Sequence, residues 1–174
     1  MRSLLGRPIK DLAADDGLAV FLIREEVMRR GGIDRAAKLI ESYGFEILAS
    51  RTIDEGNSTL VARSIRGGNW GRGPWRVSGG PPVAAIVGYD KSPIAPTRRQ
   101  RRRFPFVANA RLLCKDKIRD AFNDGFPAAQ HCNVIHSSDN GRESMDYLRI
   151  IMPQDLERVL KAICPPARET RRAA

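Results

Sequence analysis

The sequence predicts an α/β domain, and two observations carry the prediction. Apolar runs of strand length recur at residues 18–23, 45–50 and 83–89, with a shorter one at 130–135. Segments with apolar residues at helical spacing lie between and after them, at 33–43, 111–122 and 143–151. Strand, helix and strand joined by short connections is the pattern of a layered α/β architecture. A length of 174 residues suits one domain. Residues 17–164 read as that domain, 1–16 as a polar lead-in, and 165–174, opening on Pro165-Pro166, as a tail.

Leu18-Ala19-Val20-Phe21-Leu22-Ile23 is continuously apolar, as in a strand buried on both faces, although periodicity alone leaves a helix open. It breaks at Arg24-Glu25-Glu26. Asp34 is the expected N-cap of the next segment, in which Ile33, Ala37, Ile40 and Tyr43 share a helical face and Gly44 is the stop. Phe45 to Ser50 forms the second strand. Residues 52–82 carry seven glycines and three prolines and are expected to form a long loop or lid, with only Ser58-Thr59-Leu60-Val61-Ala62 hinting at regular structure. Both tryptophans, Trp70 and Trp75, fall inside it, alternating with Arg72 and Arg76. The third strand is Val83 to Tyr89. Helices follow from Arg111 to Phe122 and from Glu143 to Ile151, with the fourth strand between them at Gln130 to Ile135. A last helix, Gln154 to Ile163, begins behind Pro153.

Charge narrows the partners. The chain has 24 Arg and 6 Lys against 20 acids, for a formal net charge of +10. Nucleic acid, an anionic membrane surface or a phosphorylated small molecule would each suit it, while the bias of Arg over Lys is also what genomic base composition can produce. No apolar run approaches the eighteen or so residues of a membrane span, and the first residues lack a signal-peptide core. A cytoplasmic protein that does not enter the membrane is the expectation. Cys114, Cys132 and Cys164 are odd in number and lack CxxC spacing, which points to reduced thiols rather than a disulfide or zinc framework.

The residues that could do chemistry are few. Of the two histidines, His131 and His136, the second lies in Asn133-Val134-Ile135-His136-Ser137-Ser138-Asp139-Asn140, where a strand delivers it and a polar turn follows. A histidine so placed can be acid, base, metal ligand or nucleophile. It can equally be a bystander near a helix start, with Ser138 or Asp139 as the cap.

The pattern N-x-x-H-x-S-D, with a strand before and a helix after, resembles the active-site motif of the nucleoside diphosphate kinases. Phe21-Leu22-Ile23-Arg24 with Arg30-Gly31, Tyr43-Gly44-Phe45, Ser78 through Val87, and Lys117-Ile118-Arg119 with Phe122 are similar to further family segments, in order. The resemblance implies a ferredoxin-like sandwich, a four-stranded antiparallel sheet with helices on one face. It implies phosphoryl transfer from a nucleoside triphosphate to a nucleoside diphosphate through a phosphohistidine, in a homo-oligomer. Mg²⁺ would come with the nucleotide and not in a protein metal cage. His136 would be the nucleophile, Asn133 would bind the sugar hydroxyl, Ser138 would sit beside the phosphoryl group, and Arg24, Arg102 and Arg119 would meet phosphate oxygens.

The chain also departs from that pattern. Glu25-Glu26 replace a proline-aspartate, the family's phosphate-binding threonine falls near Ala108, and the helical segment carrying the base-stacking aromatic is replaced by the glycine-rich stretch. The glutamate that orients the imidazole falls on Leu148 or Arg149. A binding protein of the same fold without turnover is therefore the first alternative. A basic nucleic-acid-binding domain, built on Arg98-Arg99-Gln100-Arg101-Arg102-Arg103, is the second. That run reads equally well as a phosphate funnel or a solvated loop. Trp70 and Trp75 could stack bases or pin their loop. His131 is expected to be structural, and Cys132 to pack as a small apolar group.

Overall fold

The computed structural model describes residues 15–65 and 77–164. Residues 1–14 of the lead-in, the tail and the Trp70–Trp75 segment lie outside the described residues.

The two inner strands are β1 (Leu18–Arg24) and β4 (Pro82–Tyr89), and their long apolar runs follow from burial on both faces. They pair antiparallel, Phe21 opposite Ile86 and Leu22 opposite Ala85. β2 (Glu46–Thr52) pairs antiparallel with the outer side of β4, and the short β6 (Ile135–Ser137) with the outer side of β1. The sheet order is β2-β4-β1-β6. Helix α2 (Gly32–Ser42) carries the chain from β1 to β2, and α5 (Cys114–Asn123) carries it from β4 to β6. Each connection skips one strand, so two split βαβ units interlock as in a ferredoxin-like fold. A two-stranded parallel pair, β3 (Val77–Ser78) with β5 (Cys132–Asn133), lies beside the sheet.

Helices cover both faces of the sheet, where the sequence reading expects one. Phe21, Ile23, Ala84 and Ile86 pack against Ile40 of α2 and Ile118 and Phe122 of α5. On the other face Val20, Leu22, Ala85 and Val87 meet Met145 and Leu148 of α6 (Gly141–Ile151) and Val159 of α7 (Leu156–Ile163). The cause lies in the inner strands. With no polar alternation, both of their faces are apolar and both must be removed from water.

Local signals account for most boundaries. Gly44 has φ of +94° and ends α2, as the sequence predicts. Asp34 sits in the first turn of α2 rather than at its cap, because the helix begins two residues earlier at Gly32. Residues 52–82 are not one loop. Helix α3 (Glu55–Ser64) forms within them, capped by Asp54, whose carboxylate accepts from Asn57 N at 2.9 Å. It docks through buried Val61 and through Ser58, whose Oγ donates to Pro82 O at 2.6 Å. The arginine run is also helical. α4 (Arg98–Arg103) starts at a capping box formed by Thr97 and Gln100. The remaining short helix, α1 (Glu26–Arg29), follows β1 directly. Pro153 opens a 3-10 turn that leads into α7, close to the predicted helix.

Candidate active site

His136 lies within β6, opposite Leu22, not beyond the strand's end. The alternation of a strand then puts its ring on the face covered by α6. β6 has only three residues, and side chains hold it. Arg119 of α5 donates from Nη2 to Ile135 O at 2.8 Å and from Nε at 3.2 Å. Ser138 is fully buried. Its Oγ accepts from Val20 N at 2.9 Å and meets Ser144 Oγ at 2.8 Å, and Ser144 donates to Leu18 O at 2.7 Å. The resemblance puts Ser138 beside the phosphoryl group. Here its hydroxyl clamps β1, β6 and α6 together.

The ring is oriented by a relay. His136 Nε2 lies 3.1 Å from Tyr147 Oη, and that hydroxyl donates to Glu143 Oε1 at 2.9 Å. Glu143 Oε2 accepts from Asp139 N at 2.6 Å. A carboxylate only accepts, so the tyrosine proton is committed to Glu143. The tyrosine oxygen then accepts from the histidine. This assigns the proton of the neutral ring to Nε2 and the lone pair to Nδ1. Burial foremost, with Lys115 next, pushes the His136 pKa down to about 4, although Glu143 and Asp139 pull the other way. At neutral pH the ring is therefore an uncharged imidazole.

Glu143 is not among the residues the sequence reading singled out. The resemblance puts the family's orienting glutamate at Leu148 or Arg149, which implies its loss. Leu148 is buried in the apolar core, and Arg149 pairs with Asp146 at 3.2 Å. The signal for Glu143 was present as Asn140-x-x-Glu143. Asn140, not Ser138 or Asp139, is the cap of α6, accepting from Glu143 N at 3.0 Å. Tyr147 follows one helical turn later, on the same face as Glu143.

Two cations, Lys115 and Arg119, lie near the ring. Lys115 pairs with Asp139 at 2.9 Å, and Arg119 with Asp116 at 2.9 Å. Arg24, at the end of β1, is 1% exposed, with Nε donating to Gly80 O at 2.8 Å and Nη2 to Ser78 Oγ at 3.2 Å. Burial, and then the neighbouring Arg119, lower its pKa to about 10, which leaves it charged at neutral pH. Arg119 thus neighbours both Arg24 and His136, while Arg24 itself is not among the charged groups that shift His136. Arg102 is exposed on α4, in a depression lined by Arg98, Arg99 and Arg103, and is not among the charged neighbours that shift His136.

Asn133 is held on β5 opposite Ser78. The backbones approach so closely that a Cβ on Gly79 would lie 2.0 Å from Asn133 O. Asn133 Oδ1 is buried without a hydrogen-bond partner among the described residues. Behind it, Asn123 at the end of α5 uses both ends of its amide. Oδ1 accepts from Arg30 Nη1 at 2.8 Å and Cys132 N at 2.9 Å, while Nδ2 donates to Arg119 O at 2.8 Å and Cys132 O at 3.0 Å. His131 reaches Phe126 O at 2.9 Å, away from this group, and Cys132 is packed in the core. A depression of about 290 Å³ beside α6 is lined in part by Phe106, Asn140, Arg142, Glu143 and Tyr147, so the relay borders an open surface.

No helix among the described residues is long and apolar enough to cross a membrane. No protein-family model matches the chain, and no curated protein matches it. The chain is similar to three solved structures. A nucleoside diphosphate kinase family protein from Babesia bovis is 15% identical, over 79% of this chain and 89% of that one, with a TM-score of 0.42. The Aquifex aeolicus nucleoside diphosphate kinase is 19% identical, over 76% and 92%, with a TM-score of 0.40. The Encephalitozoon cuniculi nucleoside diphosphate kinase is 16% identical, over 80% and 90%, with a TM-score of 0.42.

Proposed function

We propose that this chain is a divergent phosphotransferase of the nucleoside diphosphate kinase type, with His136 as the phosphoryl acceptor. The observation that supports this reading is the state of the ring. It is a neutral imidazole, with the lone pair assigned to Nδ1 and Nε2–H committed to Tyr147 and Glu143, near Lys115 and Arg119.

Nδ1 attacks the γ-phosphorus of a nucleoside triphosphate, and the bond to the bridging oxygen breaks, its electron pair leaving with the diphosphate. The ring gains positive character, which Tyr147 and Glu143 stabilise through Nε2–H. No proton has to move. A terminal oxygen of a second nucleoside diphosphate then takes the phosphoryl group and restores the neutral ring. Arg119 and Arg24 contribute their field to the phosphates while their N–H groups hold Ile135, Ser78 and Gly80. Asn133 Oδ1 would receive a sugar hydroxyl once the turn at Gly79 and Gly80 moves aside. The assignment of Arg102 to a substrate phosphate rests on the resemblance alone, as do the homo-oligomer and the cytoplasmic location.

The carboxylates beside His136 are engaged, Asp139 by Lys115 and Glu143 by Tyr147 and a backbone N–H. They fit an Mg²⁺ ion that arrives on the phosphates rather than one caged by the protein. When bound, the ion would neutralise developing charge on the phosphate oxygens.

A second reading, nucleotide binding without turnover, is favoured by the burial of Ser138 and of Asn133 Oδ1. One experiment separates the two. The protein is incubated with γ-labelled ATP or GTP and Mg²⁺, then treated with acid or base. The expected adduct is acid-labile and base-stable, absent in His136→Ala and retained in His131→Ala. Equal labelling in a folded His136→Ala protein would overturn the proposal, and binding without any adduct would select the second reading.

A further inference from the structure

Lys115 is the second residue of α5, and no motif marks it. Its side chain is 11% exposed and ends at the turn beyond β6, where Nζ lies 2.9 Å from Asp139 Oδ1. Asp139 is fixed through its own backbone. Its N–H donates to Glu143 Oε2 at 2.6 Å, and its carbonyl accepts from Ala108 N at 2.9 Å. The glutamate that orients the His136 ring through Tyr147 therefore also places the carboxylate that aims the lysine. Behind burial, Lys115 weighs most among the charges that lower the His136 pKa, ahead of Arg119.

The two arginines are less able to follow a moving phosphoryl group. Arg119 is held at Nε and Nη2 by Ile135 O and at Nη1 by Asp116. Arg24 is held at Nε by Gly80 O and at Nη2 by Ser78 Oγ. A planar fork anchored at two nitrogens cannot turn without releasing the chain it holds. Lys115 differs in kind. Its ammonium carries three donors on a flexible four-carbon stem, and its tie is to one carboxylate oxygen. It can keep Asp139 on one N–H and turn another toward a phosphoryl oxygen. A point charge that follows an oxygen suits a transition state whose charge is spread over three equatorial oxygens. A cation so little exposed is also weakly screened by salt.

We propose, on the phosphotransferase reading of His136, that Lys115 is a catalytic residue. It contacts an equatorial oxygen of the transferring phosphoryl group while Asp139 holds and aims its ammonium. As Nδ1 bonds to phosphorus, the bond to the bridging oxygen breaks and its electron pair leaves with the diphosphate. Lys115 keeps its protons throughout.

The test uses the full chain in single-turnover labelling with γ-labelled ATP and Mg²⁺. Lys115→Met keeps the length of the stem and removes the charge. Its labelling rate at saturating ATP falls about a hundredfold. The half-saturating ATP concentration changes by less than about threefold, the pattern of an interaction made only in the transition state. Lys115→Arg recovers to within about tenfold of the parent, since charge returns without the point-like geometry. Lys117→Met, at an exposed lysine on the same helix, labels as the parent does. A second measurement uses the parent alone. In nitrogen NMR of the lysine amines, inorganic pyrophosphate shifts the Lys115 signal saturably. Labelling of Lys115→Met within about threefold of the parent would overturn the proposal. So would a raised half-saturating concentration with the saturated rate unchanged, or a Lys115 signal that pyrophosphate does not move. A parent that shows the shift but never labels would overturn the phosphotransfer reading and the catalytic role with it, leaving Lys115 as a phosphate contact. Labelling that is indifferent to Lys115 would overturn the lysine's role alone, so the two failures are distinguishable.

Discussion

The hydroxyl of Tyr147 lies 3.1 Å from Nε2 of His136, so a helix residue with the spacing of a core position sets the tautomer of the histidine on the neighbouring strand. Tyr147 can do both because its ring is 2% exposed while its oxygen faces Glu143 and His136. It acts as a positioning residue, and its removal has a signature that loss of packing does not share.

Tyr147→Phe keeps the ring and deletes the oxygen. The rate of phosphohistidine formation falls by about tenfold, equivalent to about 1.4 kcal/mol, with the KM for the triphosphate little changed. Nitrogen NMR of the imidazole is the deciding measurement. The parent shows one dominant tautomer protonated at Nε2, and the variant shows a mixture. An unchanged tautomer in Tyr147→Phe would refute the relay.

The His136 pKa has a consequence for stability. It is lowered from 6.5 to about 4 in the folded state. The unfolded chain therefore binds a proton that the folded chain refuses, and stability is lost as pH falls from about 6.5 to about 4. The loss attributable to this one group is on the order of 3 kcal/mol when the window has been crossed. Urea unfolding of the parent and of His136→Gln at several pH values measures it, since the variant lacks this part of the acid loss. The neutral ring persists through the same window, so labelling stays flat between about pH 8 and pH 5.5.

Gly79→Ala brings a methyl into the carbonyl of Asn133, at a contact of 2.0 Å before any relaxation. The atoms it meets first are backbone and cannot swing aside, so the β3–β5 pair must separate. The expected cost is about 1–3 kcal/mol, and the amide signals of Ser78 and Asn133 shift while those of α7 do not. A thermal melt and an amide correlation spectrum check both parts.

Much of the fold was legible in the sequence, for identifiable reasons. β1 and β4 announce themselves as unbroken apolar runs because each is buried on two faces, and α2 because its apolar face and Gly44 agree. The second helical layer was harder to see, since nothing in β1 or β4 says which helices cover which face. α3 was hidden by its surroundings. Gly56 lies in its first turn and glycines crowd the segment beyond it, so composition obscured a good cap at Asp54. His136 and Arg119 were legible by resemblance, and they do lie together. Glu143 was not, because its role depends on Tyr147, whose spacing on α6 is that of a core residue. Ser138 was visible as a polar residue near the histidine, but only the contacts to Val20 and Ser144 show what its hydroxyl holds.

Asn123→Ala tests a residue that no motif marks. It removes the partner of four groups at once, including the buried backbone of Cys132. Leaving buried donors and acceptors unsatisfied costs about 1–3 kcal/mol for each group that water cannot reach, so a total above about 3 kcal/mol is expected. Denaturant unfolding measures it. A loss below about 1 kcal/mol would mean that water replaces the amide and that Asn123 does not hold the turn.

β6 pairs along one side, over three residues, with a backbone bond to β1 just beyond each end, and three of its further ties come from Arg119, Ser138 and Ser144. Ladder bonds are shared along a strand, but these three ties are separate and can be released without breaking the β1–β4 ladder. The strand that carries His136 can therefore peel away in a sub-global opening far below the free energy of complete unfolding. In hydrogen exchange its amides should form their own class, less protected than those of the inner strands. Ser144→Ala should speed their exchange more than it lowers the melting temperature. On this view the proposed nucleophile sits on a short edge strand, and its access to solvent is governed by how often a three-residue edge breathes.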